Sequence, residues 1–167
     1  GINIRGASPV IMNCLVRRNG STGIGNHVIY QDQTAPVEQR DFRRANITKI
    51  VEAVHDAVKQ RKPSVKISAA VFRNWPVDRD GVGQDWKLWC ERGWLDFVCP
   101  MDYTASHRQF DNMVGRQVEW AGRVPCYPGI GESASSSRLG PDGVIEQIHI
   151  ARRHKTGGFV IFNYGVS

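Results

Sequence analysis

From Asp41 onward, apolar runs of strand character alternate with stretches whose apolar residues recur at helical spacing, the pattern of a parallel sheet covered by helices. Ile47, Ile50, Val51, Val54 and Val58 share a helical period and predict a helix over 43–61, with Asp41 placed to cap it and Lys62-Pro63 to end it. Residues 65–72 read as a buried strand and 73–83 as the long loop leaving its C-terminal end. A short helix from Gln84 or Asp85 to Arg92 stops at Gly93, and 95–101 is the next strand. Phe110, Met113, Val114 and Val118 predict a helix over 109–120, followed by a third strand at 124–127. A Gly/Ser-rich loop over 128–140 leads into a helix over 141–153, and 159–162 is the fourth strand.

Successive strand starts lie about thirty residues apart, the length of a strand, a crossover helix and a return. Four such units make half of an eight-stranded barrel. The predicted fold class is therefore α/β: a partial (β/α)8 TIM barrel of parallel strands alternating with helices, its N-terminal strands missing, organised as one domain over 1–167. Residues 1–40 carry no sustained period and read mostly as loop, with a possible strand at 10–16.

The 167 residues, 41% hydrophobic and 23% charged, suit one globular domain with a core, yet a closed α/β barrel typically takes about 250 residues. A net charge of +6 suits a polyanion partner, either nucleic acid or an anionic glycan. The basic residues fall in short clusters at 17–18, 43–44, 59–62 and 152–155, which read as solvated helix ends and loops. None of the fingerprints of nucleic-acid-binding modules is present, so no nucleic-acid partner is expected. Cys14, Cys90, Cys99 and Cys126 form no CxxC pair and read as free thiols; the five histidines lack ligand spacing, so neither a metal nor a cofactor is expected. No apolar run is long enough to span a bilayer, and any export signal is expected upstream of Gly1.

Four stretches resemble motifs of the glycoside-hydrolase-like family 10 barrels: Asp41-Phe-Arg-Arg-Ala-Asn-Ile-Thr48, Val65-Lys-Ile-Ser-Ala-Ala-Val71, Val82-Gly-Gln-Asp-Trp86 and Gly93-Trp-Leu-Asp-Phe-Val-Cys-Pro-Met-Asp-Tyr-Thr104. Tyr127-Pro-Gly-Ile-Gly131 and Gly158-Phe-Val-Ile-Phe-Asn163 extend the likeness, which covers roughly Asp41 to Tyr164. The resemblance implies action on polysaccharides, peptidoglycan glycan strands among them, and an extracytoplasmic or secreted location. The departure lies at the front, where the family carries an acidic strand-end motif and Gly1-Ile-Asn-Ile-Arg5 is at best a degraded remnant of it.

In parallel α/β barrels the site is built at the C-terminal ends of the strands. That rule selects Phe72 and Trp75, Asp102 and Tyr103, Tyr127 and Glu132, and Asn163 and Tyr164. Glycoside cleavage usually needs two carboxyl groups. Asp102 follows the apolar strand end Cys99-Pro-Met101 and is the first candidate for a general acid, competing with a loop-bracing role. Asp85 is the second, competing with helix capping. Glu132 is expected in solvent, and Asp96, near the start of its strand, is excluded. Trp75, Trp86, Tyr103, Tyr127 and Tyr164 are candidate sugar-stacking platforms, about half of them expected to serve as packing. Gln84 and Asn163 are candidate hydroxyl partners, while Trp89, Trp94 and Trp120 read as structural. Three functions compete: a glycoside hydrolase, a carbohydrate-binding domain without its catalytic carboxylates, and a basic nucleic-acid binder.

Overall fold

The computed structural model describes residues 2–5 and 36–162. Strand β1 (Ile2–Arg5) is followed by helix α1 (Val37–Arg61), strand β2 (Lys66–Val71), helices α2 (Trp75–Gly81) and α3 (Trp86–Glu91), and strand β3 (Phe97–Pro100). Helix α4 (His107–Ala121), strand β4 (Gly129–Gly131), helix α5 (Pro141–Arg153) and strand β5 (Val160–Phe162) complete the order.

β2 and β3 pair in parallel, with Ala69 opposite Val98, and β4 and β5 pair in parallel, with Ile130 opposite Ile161. A single parallel bridge, Val98 to Cys126, joins the two pairs, held by Val98 N–H to the Pro125 carbonyl at 3.0 Å and Tyr127 N–H to the Val98 carbonyl at 2.8 Å. The described strands from β2 onward are thus parallel neighbours in chain order with helices between them, an α/β arrangement. β1 differs, because it pairs antiparallel along the other edge of β2, with Ile2 opposite Ala69 and Arg5 opposite Lys66. The opening residues, read from sequence as loop, form this edge strand because backbone pairing satisfies the N–H and C=O groups of β2 whatever the side chains are. The possible strand at 10–16 lies outside the described residues.

Three further expectations need correction. α1 begins at Val37 behind Pro36, so Asp41 is an internal residue of the helix that pairs with Arg44 at 2.5 Å rather than its cap. The stretch after β2 is partly helical: Pro76 sits in the first turn of α2, where its fixed φ suits the helix and its missing N–H costs nothing. The third strand over 124–127 reduces to the bridge at Cys126, since Pro125 and Pro128 have no N–H to donate; the regular pairing of β4 starts only at Gly129.

Two apolar clusters form the core. One packs Val51 of α1 against Ile67, Ala69, Val71 and Val98 of the sheet and Trp86 and Trp89 of α3. Of the residues sharing the apolar period in α1, Ile50 points outward at 42% exposure. The second cluster joins Phe110 and Val114 of α4 to Ile130, Leu139 and Ile150. Gly93 ends α3 with a φ of +70°, as its place in the sequence predicts. Gly83, at φ +75°, lies so close to Ile47, Arg43 and the Arg44 backbone of α1 that a side chain there has no room, which explains the glycine of the Val82-Gly-Gln-Asp motif.

Candidate functional site

The C-terminal end of β3 carries the most perturbed carboxyl on the rim. Asp102 is fully buried, and burial pushes its carboxyl from the ordinary range up to about 8, against the opposing hydrogen bond of Gln117 and the charge of Arg73. Gln117 reaches it from α4: its Nε2 donates to Asp102 Oδ1 at 2.6 Å and to the Arg73 carbonyl at 2.9 Å. Asp102 Oδ2 and Gln117 Oε1 are buried without a hydrogen-bond partner. Beside them, Gln147 of α5 donates to the Thr104 carbonyl at 2.8 Å and keeps its own Oε1 buried and unpartnered. The ends of β2 and β3 are therefore tied to α4 and α5 by two buried glutamines. Sequence reading missed both; the signal was a glutamine on an otherwise apolar helix face, Gln117 beside Val114 and Gln147 between Val144 and Ile150.

Asp85 lies apart from this group. It stands at the start of α3, but its side chain makes no capping hydrogen bond; its Oδ1 instead accepts the Trp75 indole N–H at 2.7 Å. Gln84 Oε1 accepts the Phe72 N–H at 2.8 Å, and the Phe72 carbonyl accepts the Trp86 indole N–H at 3.2 Å. The Gly-Gln-Asp-Trp motif thus fastens the α2–α3 connection to the end of β2. Trp86 is fully buried, which removes it as a sugar platform: its apolar area is better kept from water in the core. Trp75 packs against Trp120 with ring centroids 5.8 Å apart, and Lys87 and Arg79 lie 4.9 and 5.6 Å from its ring centre.

Tyr103 stands beside Asp102 and stacks on Phe162 at 5.1 Å. Burial raises its phenol pKa, with Asp102 and Cys99 adding to the shift. Tyr127 is not at the rim. The chain runs on through β4 to Gly131, so Tyr127 stays at mid-strand depth and stacks on Phe97 at 4.8 Å. The rim there falls instead to Glu132, which is exposed as expected. Asn163 and Tyr164 lie outside the described residues. Asp96 belongs to the opposite end of β3, as its exclusion anticipated, and accepts from Lys59, Lys66 and the Ile67 N–H.

A groove of about 640 Å³ opens next to Arg73, within the size range of ligand sites. Arg73 and Asn74 from the end of β2 form one wall; Arg108, Gln109, Asn112, Met113, Arg116 and Trp120 along α4 form the other. Trp120 packs against the first core cluster and the rings of Trp75 and Trp86, as its structural reading anticipated, and its remaining surface borders the groove. Among the described residues no group of histidine, cysteine or carboxylate side chains is arranged to hold a metal ion, and Cys90, Cys99 and Cys126 form no disulfide. No described helix is long and apolar enough to cross a membrane.

The model of the family described as glycosyl hydrolase-like 10 matches residues 17–125, well over half of the chain. The match spans α1 through α4 and includes the Gly-Gln-Asp-Trp and Pro-Met-Asp-Tyr motifs; the resembling stretches after Tyr127 lie beyond it. No curated protein matches the chain. On this match, the chain belongs to the glycosyl hydrolase-like 10 family.

Proposed function

We propose that the chain is part of a (β/α)8 barrel that binds a polysaccharide and hydrolyses its O-glycosidic bonds without a cofactor, with Asp102 as the general acid. The observation that carries this reading is the state of the Asp102 carboxyl. With its pKa raised to about 8 it holds a proton at neutral pH, the form in which a carboxylic acid protonates a departing glycosidic oxygen. Its unpartnered Oδ2 has that proton to give. Because the side chain is fully buried under the Gln117 amide, delivery requires its surroundings to shift when a glycan is seated. The half-buried rings of Tyr103, Trp75 and Trp120 offer aromatic surface for sugar stacking.

A second reading, a carbohydrate-binding domain without turnover, is favoured by one feature: Asp85, the other candidate carboxylate, is engaged by Trp75 in packing. Release of reducing ends from a panel of polysaccharides, measured beside binding of the same polymers, separates the two. If Asp102 is the acid, Asp102→Asn abolishes release and leaves binding largely intact; an unchanged rate refutes the role. A wild-type chain that binds glycans but releases nothing supports the second reading.

A further inference from the structure

We propose that the groove along α4 is a subsite for acidic polysaccharides, in which Arg73, Arg108 and Arg116 pair with carboxylate or sulfate groups carried on successive sugars.

Three guanidiniums line the groove and no carboxylate does. Two of them are held in place. Arg73 Nη1 donates to the Tyr103 carbonyl at 3.3 Å, and Arg116 Nε donates to the Asn112 carbonyl at 3.2 Å, which leaves further N–H groups on each for a ligand. Arg108 and Arg116 enter no ion pair with another described residue, whereas Arg44 and Arg79 on the α1–α2 side are paired with Asp80. Arg73 acts on the carboxyls of Asp78 and Asp102, so the charge not offset by an ion pair in the groove is that of Arg108 and Arg116. The groove therefore keeps its positive charge.

The rest of the lining is that of a sugar site. Gln109, Asn112, Asn74 and Ser106 offer amide and hydroxyl groups, and Trp120 with Met113 offers an apolar floor. Gln109 to Trp120 extends about 16 Å along the helix at 1.5 Å per residue, longer than one sugar ring. Arginine forks pair with two oxygens of a carboxylate or sulfate at once, which selects these anions over neutral hydroxyls. Assigning the occupant as a saccharide rests on the function proposed above; the preference for negative charge rests on the groove alone.

The test is affinity electrophoresis of the full chain in gels containing polygalacturonate, dextran sulfate, neutral dextran or single-stranded poly(dT). The expected result is retardation by the two acidic polysaccharides well above that by dextran, the stronger of the two identifying the anion. Arg108→Gln/Arg116→Gln weakens it by about tenfold or more, as expected for loss of charge-assisted bonds. Arg123→Gln, which removes an exposed charge just beyond α4, leaves it unchanged. Arg108→Lys/Arg116→Lys keeps the charge, loses the forks, and falls between. Equal retardation by dextran, or equal loss in Arg123→Gln and the double variant, overturns the subsite. Retardation by poly(dT) as strong as by the acidic glycans overturns it in favour of a nucleic-acid surface. Arginine-dependent retention of polygalacturonate by a chain that hydrolyses no glycan leaves the subsite standing and removes the hydrolase reading instead.

Discussion

Two aspartates six residues apart, Asp96 and Asp102, sit at opposite ends of β3 and meet opposite surroundings. Asp96 accepts from Lys59 at 2.9 Å, Lys66 at 3.3 Å and the Ile67 N–H at 2.8 Å, and its side chain keeps 20% exposure. Partial burial raises its carboxyl, but these donors and the nearby lysine charge outweigh that effect and hold it below the ordinary range. Asp102 has one donor, no exposure and a carboxyl pushed up to about 8. The same side chain is a charged brace at one end of a strand and a stored proton at the other. The number of donors and the access of water decide which.

The largest expected effect is on turnover. Asp102→Asn keeps the size of the side chain and removes the transferable proton, so hydrolysis falls by about a hundred- to ten-thousand-fold, the share a general acid supplies. In the wild type, kcat/KM declines as pH rises through about 8, because the acid form is lost there. Gln117→Leu removes the one donor to Asp102 and moves that decline to still higher pH. It also leaves the Arg73 carbonyl without this partner, and stability falls by about 1–3 kcal/mol, measured by urea unfolding.

Asp96→Asn is expected to cost about 1–2 kcal/mol in the same measurement, discounted for the exposure of its lysine pairs, with turnover little changed. In the pH dependence of stability the two aspartates have opposite signs. Asp102 has a raised pKa, so between about 4 and 8 the folded chain holds a proton the unfolded chain has lost, and stability falls as pH rises across that window. Asp96 has a lowered pKa; its contribution is present above about 4 and is lost as pH falls through its folded value. Urea midpoints from pH 5 to 8 decline in the wild type and flatten in Asp102→Asn, while Asp96→Asn loses its deficit only under acid conditions. A wild-type curve flat from pH 5 to 8 contradicts the buried, protonated Asp102.

Much of the fold was legible because helix and strand periods are local. The helices at 86–91, 107–121 and 141–153 and the strands at 66–71, 97–100 and 160–162 fall where the apolar spacing puts them, and Gly93 ends its helix as its position predicts. The misplaced elements have identifiable causes. Prolines at 125 and 128 withhold N–H groups from a run that otherwise reads as strand, and the helix after β2 is too short to show a period. Of the candidate site, the burial of Asp102 was legible because it follows an apolar strand end. The aromatic side chains were not sorted by sequence, since a tryptophan in a groove and one in a core have the same neighbours along the chain. Trp86 proved to be core for that reason, while Trp120 packs against the core as expected and also borders the groove.

The sequence by itself determined the alternation of strand and helix, the ends of α3 and β3, and the family motifs that span α1 to α4. Only the tertiary structure decided that Asp102 is sealed under Gln117, that Asp85 answers Trp75, and that three arginines from two elements face one groove. Periodicity reports which side of an element faces inward. Burial, pKa and groove charge depend on what a second element, distant along the chain, brings to the same place.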